Sequence, residues 1–200
     1  MKLVKKCRQC RTEGKKLFLK GTRCDLPKCS FTRRSYGPGK KQKTMIRRSD
    51  FGKQLRAKQA AKRIYGLSEK QLKNYYQKAS KTKTATGEHL LQLLERRLDN
   101  VIFRLGFAPS RVSARQIVGH GKIMINEKKA DIPSISVKAK DKIAISKKSA
   151  LKSSKKPQEI PIWLKFDAIK QSAEIIKLPT LKELETEDID RELIVEFYSR

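Results

Sequence analysis

The sequence predicts an α+β fold in which a cysteine-containing N-terminus and a helical domain carry an inserted two-helix module on a small antiparallel sheet. Three observations predict it. Four cysteines fall in two close pairs near the N-terminus. Leucines recur at helical spacing between residues 90 and 106, with arginines off the apolar face. Short strand-like runs then follow at 123–126, about 128–131 and 142–146, as in a small sheet.

The charge of the chain indicates its kind of partner. Its 200 residues include 49 Lys+Arg against 20 Asp+Glu, a formal net charge of +29, and 38% are hydrophobic. The net charge is +22 over residues 1–90, +11 over 91–165 and −4 over 166–200. An isolated compact domain with this charge would repel itself, so we expect a polyanion, RNA or DNA, along the first three-quarters of the chain.

A membrane is the rival polyanion, and the sequence argues against it. No apolar run approaches the ~20 residues that a spanning helix needs. The N-terminal residues lack the apolar region of a secretory signal. We therefore predict a cytoplasmic protein with no membrane partner.

The cysteines Cys7, Cys10, Cys24 and Cys29 are spaced as C-x2-C, thirteen residues and C-x4-C. Two close pairs separated by a short loop suit tetrahedral zinc, and a cytosolic compartment disfavours disulfides. Four thiolates leave no open position, so we predict a zinc knuckle with one structural Zn²⁺. Neighbouring basic residues are expected to lower the pKa of the thiols. Two disulfides or four unrelated thiols are the alternatives.

Residues 30–50 form a basic stretch with few apolar side chains, and Gly37-Pro38-Gly39 excludes a helix there. Such a loop can follow phosphates and stack an aromatic ring on a base or ribose. A disordered basic linker is the alternative. The residues of this stretch that we assign to RNA binding are Arg33, Arg34, Tyr36, Lys40, Lys41, Arg47 and Arg48.

Two helices are expected between residues 50 and 79. Asp50 is the predicted N-cap of the first, Gly66 follows its end, and Ser68 with Gln71 forms a capping box for the second. Basic side chains surround the first helix. Those we assign to RNA binding, with the tyrosine at its end, are Arg56, Arg63 and Tyr65.

The two-helix module begins at residue 90 with a helix predicted to run to Gly106. Its apolar face comprises Leu91, Leu94, Leu98, Ile102 and Leu105, and the arginines and Asn100 fall largely off that face. Arg97 and Arg104 are assigned to RNA binding. The alternative is that Arg96 or Arg104 forms an ion pair with Glu95 or Asp99.

Ser110 is the predicted N-cap of a second, shorter helix that carries Arg111 and Arg115 one turn apart. Backbone N–H groups at its start also favour phosphate. We rank these two arginines ahead of those on the first helix because no acidic residue lies near them in sequence. His120 and Lys122, which follow, complete the predicted RNA-binding set.

Several stretches resemble the small-subunit ribosomal protein S-four family, and together they span nearly the whole chain. They are Arg56-Ala57-Lys58-Gln59, Arg63-Ile64-Tyr65-Gly66, Leu94 to Val101, Arg104 to Ala108, Ser110-Arg111, Ala114-Arg115-Gln116 with His120-Gly121, Ile160 to Asp167, and Leu193 to Arg200. Part of the family bears zinc on a similar N-terminal pair of knuckles. The resemblance implies a terminal strand over 193–200, and Trp163 is expected in the core.

The sequence departs from the family pattern at three places. Lys40 and Lys41 follow Pro38-Gly39, where the family has glutamine and histidine. Asn126-Glu127 replaces Asn-Gly, so a different hairpin turn is expected. Lys140 precedes Asp141, where the family tends to have glycine.

The resemblance implies a structural constituent of the small ribosomal subunit. Such a protein is a primary rRNA-binding protein that nucleates subunit assembly. It lies near the channel through which mRNA enters and beside the S-five protein. The predicted segments are 1–49, a zinc knuckle and basic extension; 50–89, a helical domain; 90–156, the two-helix RNA-binding module with its sheet; and 157–200, a C-terminal segment returning to the helical domain.

The sequence leaves two alternative functions. The same family module occurs in RNA-modifying enzymes, but the chain shows no Gly-rich cofactor loop and no acid–base set, so we predict no enzyme activity. A zinc-dependent DNA-binding protein is the other alternative. No recognition helix of the usual zinc types follows the knuckles.

Overall fold

The computed structural model describes residues 5–39, 48–82, 84–146, 160–167, 169–180, 183 and 189–200. The chain forms two compact units, Met1–Tyr76 with Ile189–Arg200, and Gln77–Asp188. The predicted C-terminal segment 157–200 is thus divided between the two units.

The described helices are α1 (Lys6–Glu13), α2 (Ser30–Arg33), α3 (Asp50–Ile64), α4 (Glu69–Ala79), α5 (Thr86–Glu95), α6 (Leu98–Arg104), α7 (Arg111–Gly119) and α8 (Arg191–Ser199), with a 3-10 turn at Gly21–Cys24. The strands are β1 (Ile123–Ile125), β2 (Lys128–Ala130), β3 (Lys142–Ile145), β4 (Leu164–Asp167) and β5 (Ser172–Ile175). The predicted mixture of helices and a small antiparallel sheet is confirmed.

Capping side chains set the ends of α3 and α4. The hydroxyl of Ser49 accepts from the N–H of Gly52 at 3.2 Å, so Ser49 is the N-cap of α3 and the prediction of Asp50 was wrong. The predicted capping box of α4 is confirmed: Ser68 N–H donates to Gln71 Oε1 at 3.0 Å, and Gln71 N–H donates to Ser68 Oγ at 3.2 Å.

The C-terminal residues form helix α8, and the expectation of a terminal strand was wrong. Asp190 caps the helix by accepting from the N–H of Leu193 at 3.2 Å. The helix packs on α3, with Ile194 fully buried and the Phe197 ring 5.7 Å from that of Phe51. Packing of this apolar face decides the conformation against the strand preference of the apolar residues.

In the second unit the predicted helix over 90–106 is two helices that break at Arg96-Arg97. The N–H of Leu98 donates to Ile135 O at 2.8 Å, and the N–H of Asp99 donates to Pro133 O at 3.2 Å. The 133–137 segment therefore satisfies the first N–H groups of α6, which a continuous helix would have paired internally.

The sheet is antiparallel, in the order β2-β1-β3-β5-β4. The first three strands match the predicted ones, whereas β4 and β5 were not predicted. Helices α6 and α7 cover the sheet with a core that includes Leu98, Val118, Ile143, Trp163 and Ile175. The expected burial of Trp163 is confirmed, since 1% of it is exposed.

The β1–β2 turn keeps the geometry that asparagine and glycine usually adopt. Asn126 has φ 48° and Glu127 has φ 67°, so both central residues are left-handed and the expectation of a different turn was wrong. The Asn126 amide compensates by donating to Asp141 Oδ1 and accepting from the N–H of Lys142, each at 2.9 Å. These bonds fix the turn to the start of β3.

Candidate nucleic-acid interface

The carboxylate of Asp99, on α6, binds two arginines. Arg97 donates through Nε to Oδ1 at 3.1 Å and through Nη2 to Oδ2 at 2.7 Å. Arg115, on α7, donates from Nε and Nη2 to Oδ2 at 3.0 and 2.8 Å. Asp99 therefore fixes α7 to α6 and directs one α7 guanidinium.

The carboxylate of Glu95 holds Arg104 directly and Arg111 through the amide of Asn100. Arg104 donates through Nε to Oε2 at 2.9 Å and through Nη2 to Oε1 at 3.0 Å. The Asn100 amide donates to Glu95 Oε2 at 2.8 Å and accepts from Arg111 Nε at 2.7 Å. The guanidinium of Arg111 also lies over the Phe103 ring, with Cζ 4.5 Å from its centroid.

These contacts correct two parts of the sequence interpretation. Arg97 is 2% exposed in a buried ion pair, so its assignment to RNA binding was wrong. The reason for ranking Arg111 and Arg115 first also fails, because Asp99 is distant in sequence but bonded to Arg115. The alternative pairing of Arg104 with Glu95 is confirmed.

The module surface nevertheless keeps a positive balance. Three arginines, Arg97, Arg104 and Arg115, share the two carboxylates of Glu95 and Asp99, and Arg111 is held by the neutral amide of Asn100. The side chain of Arg115 is 36% exposed and that of Arg104 is 13% exposed, whereas both acids are buried. An anion that approaches α7 meets guanidiniums held by buried acceptors, a geometry that suits phosphate.

The end of α7 adds further basic groups. His120 and Lys122 are exposed, as expected for residues that meet a phosphate backbone. Gly121, between them, has φ 65°, and the side chain of Lys129 passes so close that a Cβ at position 121 would clash with Lys129 Cε. The sequence interpretation did not assign Lys129 to RNA binding, because a lysine in a short exposed strand carries no distinguishing signal.

The N-terminal basic stretch is partly described. Arg33, Arg34 and Arg48 are exposed. Tyr36 is held by Arg11, which donates to Tyr36 O at 2.9 Å and places its guanidinium 5.0 Å from the ring centroid. The predicted contacts at Lys40, Lys41 and Arg47 lie outside the described residues.

The basic residues assigned on α3 bind protein groups. Arg56 and Arg63 both donate to the buried carboxylate of Glu13, on α1. Tyr65 is 4% exposed, so its assignment to an RNA surface was wrong. Arg56 and Arg63 are 29% and 21% exposed in their side chains, so their part in binding RNA stays a prediction.

The four cysteines are free thiols, three buried and Cys7 half-buried. Burial raises the pKa of Cys10 and Cys24, which contradicts the expected lowering by basic neighbours. Burial also opposes ionisation of Cys29, but hydrogen bonds from Thr32 and Phe31 N–H groups hold its pKa below the ordinary value. Lys20 N–H donates to Cys24 Sγ at 3.4 Å. Within the part of the chain described, no three His, Cys, Asp or Glu side chains are grouped to hold a metal ion.

Two family models match successive parts of the chain. Residues 3–95 match the Ribosomal protein S4/S9 N-terminal domain, and residues 96–143, which hold α6, α7 and the first strands, match the S4 domain. Across the helices that the structure describes, none has the length and apolar character to span a membrane. The fold and the arginine-bearing helix pair thus define a ribosomal protein with an S4 domain.

Curated relatives cover the chain almost completely. The small ribosomal subunit protein uS4 of Desulforamulus reducens is 47% identical over 203 residues, which span 97% of this chain and 96% of the relative. Those of Thermodesulfovibrio yellowstonii and Dictyoglomus turgidum are 48% and 46% identical with the same coverage. The chain belongs to the small ribosomal subunit protein uS4 family, a family of structural proteins and not of enzymes. The resemblance drawn from the sequence is confirmed, and the zinc-bearing form stays a prediction.

Proposed function

We propose that this chain is a structural constituent of the small ribosomal subunit that binds its rRNA directly, in the cytoplasm, and nucleates subunit assembly. The observation that carries the proposal is the set of α6 and α7 arginines held on the buried acceptors Glu95, Asp99 and Asn100. Preset guanidiniums lose less conformational entropy when they bind phosphate. The relatives named small ribosomal subunit protein uS4 support the choice of rRNA.

The net charge of +29 supports the same function, because it implies counterion release from a nucleic acid. We expect the logarithm of the rRNA association constant to fall steeply with the logarithm of salt concentration. Neutralising the exposed Arg33 and Arg34 with glutamine should reduce that slope by about two phosphate equivalents. The matched control neutralises Lys170 and Lys177, which are exposed in the net-negative segment 166–200, and should leave the slope unchanged.

Filter binding of small-subunit rRNA fragments, with duplex DNA of equal length as competitor, tests this function. Tight, salt-sensitive binding that DNA does not compete away supports an rRNA-binding protein. Equal affinity for duplex DNA would contradict it and favour the DNA-binding alternative.

We also propose where the chain lies in the small subunit: near the channel through which mRNA enters, and beside the S-five protein. The support is the family to which the chain belongs. Cross-linking in reconstituted small subunits should join this chain to mRNA and to the S-five protein. Cross-links to other proteins only, with none to mRNA, would contradict this placement.

We also propose that Cys7, Cys10, Cys24 and Cys29 bind one structural Zn²⁺. The support is chemical: four free thiols at knuckle spacing, three of them buried, with a backbone N–H donor on Cys24. When bound, the metal would cross-link α1, the 3-10 turn and the start of α2. The thiols do not form a metal-holding group in the described residues, so binding would need local movement of their side chains.

Metal analysis of anaerobically purified protein tests the zinc site. One zinc per chain is expected, and the Cys24→Ser variant should lose it and loosen residues 5–35. Thr22→Ser, in the same 3-10 turn, keeps every thiol and is the matched control. A metal content near zero in the wild type, or two stable disulfides, would contradict the proposal.

A further inference from the structure

The side-chain amide of Asn100 has one orientation. Its Nδ2 donates to Glu95 Oε2 at 2.8 Å and to Glu95 O at 3.1 Å, and its Oδ1 accepts from Arg111 Nε at 2.7 Å. A carboxylate and a carbonyl can only accept, so the NH₂ end must face Glu95 and the oxygen must face Arg111. Asn100 is 1% exposed, so water does not compete for these bonds.

Arg111 is held from a second side as well. Its guanidinium lies over the ring of Phe103, with Cζ 4.5 Å from the ring centroid. The ring restricts movement of the guanidinium along its normal, while the bond from Nε to Asn100 restricts rotation of the group. Arg111 is also the first residue of α7, where backbone N–H groups favour an anion.

An amide is a suitable partner for an arginine that must also bind a phosphate. A carboxylate at position 100 would hold Arg111 more strongly, but its negative charge would oppose an approaching phosphate. The neutral amide of Asn100 gives direction without adding charge. The negative charge of Glu95 behind it is matched by Arg104.

We propose that Asn100 is a positioning residue for RNA binding: it sets the direction in which Arg111 presents its guanidinium to an RNA phosphate. The inference rests on the proposed rRNA binding and deepens it. Asn100 does not touch the RNA, and it acts through Arg111 alone.

A double-mutant cycle tests the inference. Affinity for a small-subunit rRNA fragment is measured for the wild type, Asn100→Ala, Arg111→Ala and the double variant, with a thermal melt of each. We expect each single variant to weaken binding by about tenfold, as the loss of a charge-assisted contact implies, and the double variant to bind no worse than Arg111→Ala. Asn74→Ala removes the same amide from the exposed surface of α4 and should change nothing.

A merely structural role gives a different result. If Asn100→Ala weakens binding by the same factor with and without Arg111, the residue acts through the fold and the inference is overturned. Unchanged affinity in either single variant also overturns it. Because Asn100→Ala can destabilise the module, Arg111→Lys gives an independent route. It keeps the charge, lacks the Nε donor, and should reproduce the loss that Asn100→Ala causes.

Failure of the proposed function gives a separate result. If the wild type does not bind the rRNA fragment at low salt, rRNA binding itself is contradicted, and the inference is overturned with it. If the wild type binds tightly and the cycle is additive, rRNA binding stands and only the role of Asn100 is overturned.

Discussion

The arginines of this chain show that residue type alone does not distinguish a side chain that binds RNA from one that stabilises the fold. Arg97 and Arg34 carry the same charge, yet Arg97 is 2% exposed against Asp99 while Arg34 is exposed. The sequence could predict that arginines lie off the leucine face. It could not predict Arg97 with Asp99 or Arg115 with Asp99, because those pairs depend on the break before α6 and on how α7 packs.

Replacing Arg97 with methionine should destabilise the fold strongly. Asp99 would stay buried with half of its guanidinium partners removed, a loss of about 3 kcal/mol in the free energy of unfolding. Urea unfolding measures the loss. The matched change Arg34→Met, on an exposed residue, should stay within about 0.5 kcal/mol of the wild type. A similarly small effect of Arg97→Met would show that the buried pair does not stabilise the module.

Replacing Glu127 with glycine should stabilise the protein. Glu127 has φ 67°, which glycine adopts without the steric cost that a side chain brings. The expected gain is about 0.5–1 kcal/mol, read from the urea midpoint at constant slope. Lys128→Gly, in strand β2, is the control and should destabilise. A loss of stability in Glu127→Gly would mean that the Glu127 side chain makes a contact that outweighs the strain.

Among the elements, those with a local signal were predictable and those with a tertiary cause were not. The capping box at Ser68 and the Ser110 cap are short-range patterns, and both are present. Helix α8 and the break before α6 depend on distant partners, α3 in one case and residues 133–137 in the other. Strands β4 and β5 carry a local signal that the sequence interpretation missed, because apolar and polar residues alternate in Leu164-Lys165-Phe166-Asp167 and in Ser172-Ala173-Glu174-Ile175.

The contact between α3, α4 and α8 should depend on pH through Glu69. Burial opposes ionisation of this carboxyl, but Lys58, Lys62 and the Tyr198 hydroxyl all donate to it and hold its pKa at about 2, below the ordinary 4.5. Because the folded-state pKa is the lower one, the stabilisation is present above about pH 4.5 and lost as the pH falls towards 2. The side chain is 46% exposed, so solvent screening reduces the expected contribution to about 1 kcal/mol.

Unfolding of the wild type and Glu69→Gln between pH 2 and 6 tests this contribution. The difference in free energy should be about 1 kcal/mol at the upper end and vanish at the lower end. Glu192→Gln, an exposed acid on α8, is the control and should show no such trend. A difference that does not change with pH would show that the charge of Glu69 does not contribute.

For the molecule as a whole, the net charge of +29 and the family motifs already indicated an RNA-binding ribosomal protein. The net charge and the motifs could not predict which basic side chains are exposed. That choice depends on four buried acceptors, Glu13, Glu95, Asp99 and Asn100, which hold six of the arginines in place. Among the described side chains assigned to RNA binding, the exposed ones lie on the N-terminal basic stretch and at the end of α7.

Backbone hydrogen exchange of the chain alone and bound to small-subunit rRNA tests the central claim most directly. The account predicts protection by rRNA of residues 33–36 and of 111–122, and unchanged exchange at residues 169–171, which precede β5. Protection confined to residues 160–180, with α7 exchanging as in the free chain, would contradict it.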